Sequence, residues 1–133
     1  MAFEEIKTSI TLEAPSTAFS ASQYRMVQQS SSEGIFVAGS TAAVDQVNIG
    51  VLQDAPTFTG EPCEIATFGS VTKLEFATTM VAGVNFISGA LGRGQDTGAA
   101  TTGQVIYGPI LSTVSTTLGT IGTVMFNVVG ITT

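Results

Sequence analysis

The amino-acid sequence predicts an all-β fold, a small antiparallel β-barrel or sandwich with an extended N-terminal arm. Three observations carry that expectation. Short runs with apolar residues at every second position recur along the chain, clusters of Gly, Pro, Ser and Thr separate them, and no stretch keeps the 3.6-residue period of an amphipathic helix. At 133 residues the chain has the size of one domain. A small, polar segment, "STAFSASQ", divides it into an arm with linker over residues 1–22 and a β domain over residues 23–133.

The elements follow in order. "TSITLEAP" alternates Ile10 and Leu12 against Thr11 and Glu13 until Pro15 stops it, a layout suited to adding a strand to a neighbouring subunit; Phe3, Ile6, Ile10 and Leu12 are the arm's candidate contact residues. An ordinary first strand of the domain fits the same pattern. In "QYRMVQQ" Tyr24 and Met26 share one face, Arg25 and Val27 the other. The Ser-rich "SSSEG" reads as a turn and "GIFVAG" as a short buried strand. "DQVNIGVLQD" places Val47, Ile49 and Val51 on one face opposite Asn48 and Gly50, and "APTFTGEP" supplies turn chemistry. "CEIATFG" and "VTKLEFA" then read as a hairpin about Gly69 and Ser70, with Leu74 and Phe76 inward and Lys73 and Glu75 outward, so that residues 49–76 form a meander of three antiparallel strands. "TTMVAGVNFIS" turns at Ala82 and Gly83 and aligns Val84 with Phe86. Residues 89–104 read as a long Gly/Thr loop, and Pro109 places "VIYGPILS" at an edge or a bulge. The last strand sets Val124, Phe126 and Val128 on one face and Met125, Val129 and Ile131 on the other. Both faces are apolar. Met125, Val129 and Ile131 are therefore candidate self-association residues, although a sandwich that covers both faces internally explains the strand equally well.

Composition excludes several function classes. Charged residues make up 11% of the chain and the net charge is −6, with Lys7, Arg25, Lys73 and Arg93 as the only cations. A nucleic-acid backbone needs clustered cations to displace its counterions, so no direct DNA or RNA partner is expected, and an anionic membrane surface is disfavoured on the same ground. The mean hydropathy is +0.41, yet the charge-free segment after Asp96 is broken repeatedly by Gly and Thr, so no transmembrane helix is expected. The N-terminus has acids near its start and no apolar core, which predicts synthesis in the cytoplasm without a signal peptide. Cys63 is the only cysteine and reads as a small buried hydrophobe.

Catalytic chemistry is sparse. The chain has no histidine, which removes Ser/His/Asp and Cys/His mechanisms together with the commonest transition-metal ligand. Glu61 and Glu64 flank Cys63 as the best carboxylate pair, but on a strand they point to opposite faces. Asp45, Asp54 and Asp96 are too scattered for a Ca²⁺ loop. The "GRG" at 92–94 has the look of a phosphate cradle without the helix whose amides would face the anion, so Arg93 is expected to be solvated or to make one surface ion pair. No catalytic residue, metal or cofactor is expected.

The order of turn glycines and aliphatic strands resembles a family of small bacteriophage capsid decoration, or cement, proteins. The likeness spans about residues 24–129 and rests on Gly50, Val51, Leu52, Gln53, Pro56, Gly60, Gly69, Lys73, Gly83, Gly92 and Arg93. Asn85 stands near an expected Gly-Asp turn. The resemblance implies a non-enzymatic structural virion protein, a homotrimer synthesised in the host cytoplasm. It would sit on the outer capsid surface and stabilise the shell by bridging subunits of the major capsid protein. A fibre-base or tail-associated β module that binds a receptor is the competing class, with the loop at 89–104 as its recognition element.

Overall fold

The computed structural model describes residues 8–39, 47–115 and 120–133. The fold is all-β, a sandwich of two sheets rather than a single closed barrel, and the described residues contain no α-helix. Eleven strands are formed among them: β1 Ser9–Glu13, β2 Met26–Gln29, β3 Phe36–Ala38, β4 Gly50–Leu52, β5 Pro62–Ala66, β6 Ser70–Phe76, β7 Phe86–Ser88, β8 Gly94–Asp96, β9 Val105–Tyr107, β10 Thr120–Phe126 and β11 Val128–Ile131. The first sheet has the order β1-β5-β4-β2-β3 and the second β10-β6-β8-β7-β9-β11. All pairings are antiparallel except β6 with β8. β10 and β11 stand at opposite ends of the second order, yet Asn127 alone joins them, so one ribbon closes against β6 with its first half and against β9 with its second.

The main core lies between the sheets. Met26 and Val51 from the first sheet meet Leu74, Phe76, Phe86, Val105, Tyr107, Val124 and Phe126 from the second. Tyr107 stacks on Phe126 at 5.2 Å between centroids, and Phe76 meets Phe86 edge-on at 5.7 Å. Burying one such ring contributes about 2 kcal/mol before entropy is deducted. A second cluster, Val27, Phe36, Leu52, Cys63, Ile65 and Ala14, fills the other face of the first sheet. The segment 16–22, which reads as a linker, forms a 3-10 turn over Thr17–Ala21 and caps this cluster by setting Phe19 edge-on against Phe36 at 5.2 Å.

The structure corrects several expectations. β5 and β6 do not form a hairpin, because β5 already has β1 and β4 on its two edges and β6 has β10 and β8. The turn between them carries the chain from one sheet to the other, with Gly69 N–H donating to the Phe126 carbonyl and Thr67 N–H to that of Thr8. The three-strand meander therefore reduces to the β4–β5 pair plus a strand of the second sheet. Val47 and Val51 face the inter-sheet core but Ile49 packs on the second cluster, since both faces of this sheet are covered and no polar side marks the register. Val84 is exposed while Phe86 is buried. The stretch 89–104 is not a plain loop: it holds β8, which pairs with both β6 and β7. β9 is an inner strand rather than an edge; its ladder stops at Gly108-Pro109 and resumes at Ile110, which bridges Val124. Within the N-terminal segment, Ser9–Glu13 pairs along its length with β5, so this part is the edge strand of the chain's own first sheet.

Candidate binding surface

Two arginines and one carboxylate meet where the two sheets come together. Tyr24 has a left-handed backbone, φ 64°, which breaks the alternation expected through "QYRMVQQ" and turns Arg25 toward β6. Tyr24 N–H donates to the Leu52 carbonyl and its own carbonyl accepts from Glu75 N–H at 2.8 Å, so the chain entering β2 is tied to both sheets. Across from it, the turn Ala90–Gly92 carries Leu91 at φ 58° and Gly92 at φ +77°. Gly92 lies directly on the backbone of β2: a Cβ there would collide with the Met26 carbonyl and stand 3.0 Å from its carbon. Only glycine allows that approach.

These two backbone features bring two guanidinium groups to one carboxylate. Glu75 Oε2 accepts from Arg25 Nε at 3.3 Å and lies 3.2 Å from Arg25 Nη2, and Arg93 Nε donates to the same oxygen. The side chains are 12%, 19% and 11% exposed for Arg25, Arg93 and Glu75. Glu75 is thus not the outward, solvated acid of the sequence reading, nor is Arg93 a surface cation. Lys73, two residues along the same strand, places Nζ 5.3 Å from the centroid of the Tyr24 ring, within cation–π range. Among the described residues, Arg25 and Arg93 meet at Glu75, and Lys73 lies over the ring of Tyr24, the residue before Arg25 in the chain.

The other candidates separate. Asp54 Oδ2 accepts from Glu64 N–H at 2.7 Å, and Glu61 Oε1 from the Thr57 hydroxyl at 3.0 Å, so these acids brace the turn before β5. Asp96 caps the turn Thr97–Ala99 through Gly98 N–H, and Asp45 lies outside the described residues. No group of three metal-ligating side chains forms among the described residues. Cys63 is buried, and burial first, then the charges of Asp54 and Glu61, push its thiol up to about 11, far from a nucleophile. Of the arm contacts, Phe3 and Ile6 lie outside the described residues, Ile10 is exposed, and Leu12 packs on the second cluster. Of the self-association residues, Met125 is partly buried, whereas Val129 and Ile131 are each 50% exposed on β11, an edge strand that also exposes Val128. Phe126 faces the core as expected, but Val128 does not follow it inward, because the register of β11 on β9 shifts between Val128 and Gly130.

The Glu75 cluster had no signature in the sequence. Its members are 50 and 18 positions apart, and the "GRG" around Arg93 reads in the sequence as part of a loop. No protein-family model and no curated protein matches the chain.

Proposed function

We infer that this chain is a structural virion module that docks on the outer surface of a bacteriophage capsid as a homotrimer and stabilises the shell by bridging subunits of the major capsid protein. The observation that carries this reading is where the residues of the decoration-protein pattern fall. Gly60, Gly69, Gly83 and Gly92 have φ of +84°, +90°, +92° and +77°, so each stands where a side chain is disfavoured and the chain must reverse or approach closely. Val51 and Leu52 fill the two cores on either side of the first sheet. The Gln53 amide donates to the Val51 carbonyl at 3.0 Å and to the Thr72 hydroxyl at 2.8 Å, tying the sheets together. The pattern tracks the framework of the sandwich, which supports a likeness of architecture rather than of composition.

The surface is in keeping with this reading. Val128, Val129 and Ile131 stand half-exposed on an edge strand inside a segment without charge after Asp96, lacking the lysines that commonly guard such edges. Covering them contributes about 1 kcal/mol apiece before association costs are deducted. Contacts of that size are weak singly. A closed ring that touches several shell subunits raises the effective concentration of each further contact, so modest interfaces sum to firm attachment. The test is co-sedimentation with empty shells of the cognate capsid: the chain is expected to pellet with them in saturable amounts, and its retention in the supernatant would contradict the reading.

A further inference from the structure

We propose that two sheet edges of this chain join across copies: the outer edge of β11 in one subunit adds as a strand to the outer edge of β1 in the next. The partner is a second copy of the chain, and the contact is heterologous, each subunit offering one edge and receiving the other. The number of copies in the ring rests on the homotrimer reading; the contact itself does not. The sheet ends differ in how they are closed. β10 ends the second sheet, yet Leu111 N–H donates to the Thr123 carbonyl at 2.7 Å and Met125 N–H to that of Pro109 at 2.9 Å, so residues 109–111 cover it. β3 is only three residues long, a short template. Among the described residues, β11 has no neighbour on its outer side, and β1 is held there at Glu13 alone, whose N–H donates to the Gly34 carbonyl at 2.8 Å.

The free backbone groups can be placed from the ladders. Thr67 N–H donates to the Thr8 carbonyl and Ala14 N–H to that of Glu61, so even-numbered residues bond β5 and the N–H and carbonyl of Ser9 and Thr11 point outward. On the other sheet Thr132 N–H donates to the Gln104 carbonyl, which turns the backbone groups of Ile131 away from β9. Neither Ser9–Leu12 nor Val128–Ile131 holds a charge or a proline, the residues that commonly blunt an exposed edge. Side chains at both edges also lack cover. Ile10 lies opposite Ile65, which is fully buried in the second cluster, yet is itself 40% exposed, and a strand laid along β1 would cover it. Size argues for a ring. A ladder of four residues runs only about 13 Å, far less than the about 800 Å² per partner of a stable pair requires. A closed ring engages both edges of every copy, so each subunit is held twice and no edge is left open, whereas β11 on β11 would leave β1 bare and β1 on β1 would leave β11 bare.

The test links copies of the whole chain through engineered cysteines in a Cys63→Ala background, with no shells present. Thr11→Cys and Ile131→Cys chains are treated with a short bismaleimide separately and after mixing. Covalent dimers are expected in the mixture only, and a chain carrying both substitutions should give a closed three-chain species. Thr11→Pro removes the outward N–H of β1 without touching its ladder to β5. It should weaken association at least about tenfold in sedimentation equilibrium while lowering the melting temperature by no more than about 4 °C. Val81→Thr, on the exposed turn before β7, should leave association unchanged. Linking within either single variant, no linking in the mixture, or unaltered association of Thr11→Pro would each overturn the proposal. A closed ring of another size joined by the same mixed link would support the contact and overturn the homotrimer, and shell binding is read separately by co-sedimentation.

Discussion

Replacing Glu75 by Gln keeps the size and shape of the side chain and removes only its charge. Two guanidinium groups then face one another across a neutral amide, with little water to screen them, since all three side chains are less than one fifth exposed. Removing one partner of a fully buried pair costs about 3–5 kcal/mol, and the residual exposure here places the loss near the lower end, about 3 kcal/mol. For a chain of this length that lowers the melting temperature by about 10 °C. A competing effect has the opposite sign: the substitution reduces the net charge from −6 to −5 and relieves some self-repulsion, but a single screened charge is worth only about 0.3 kcal/mol. Urea unfolding followed by circular dichroism separates the two magnitudes. In the Glu75→Gln background, removing Arg93 should cost less than it does in the unaltered protein, because it now relieves repulsion. A loss below about 0.5 kcal/mol, or one erased in about 1 M salt, would mean an ordinary surface ion pair and would refute the reasoning.

The remaining predictions concern backbone, thiol and edge. Gly92→Ala should cost more than about 3 kcal/mol, because its Cβ meets the backbone of β2, whereas Gly60→Ala, with the same backbone sign but open space around it, should cost about 1 kcal/mol in the same unfolding assay. The Cys63 thiol, raised to about 11 from an ordinary 9.0, should resist alkylation in the folded protein at pH 8 and react readily in urea. The sign of the linkage is fixed: the unfolded thiol ionises first, so the contribution of Cys63 is intact below pH 9 and declines as pH rises toward about 11, visible as a fall in melting temperature that is smaller in Cys63→Ala, where the buried Tyr107 hydroxyl, also pushed up, still contributes. Val129→Asp and Ile131→Asp should change the stability of the isolated subunit by less than about 0.5 kcal/mol while shifting sedimentation equilibrium from trimer to monomer; an unaltered protein that is monomeric at tens of micromolar, roughly the range of a modest interface, would contradict self-association through β11.

What could be read from the sequence was governed by which side chains face a uniform environment. β6 was legible because Leu74 and Phe76 alternate with Lys73 and Glu75, and the breaks at Gly69, Gly83 and Pro109 fall at real interruptions. β4 misled because Val51 and Leu52 are both buried, one against each core, so alternation carries no direction there. β8 was invisible: "GQD" has no apolar residue, and Gly94 is selected by the Phe76 ring lying against it. The hairpin about Gly69 was a sound local inference that failed on partner choice, which depends on edges already occupied elsewhere. The candidate site was hidden for a related reason. Arg25, Glu75 and Arg93 carry no local motif, and only the fold makes them neighbours.

The most direct measurement of the functional reading is a comparison by electron microscopy of particles assembled with and without this chain. The account predicts added density on the outer shell, three-fold in shape and seated over junctions between capsid protein subunits, with particles lacking it losing integrity at lower temperature. Density confined to the tail or fibre base, or none on the shell at saturating chain, would contradict it.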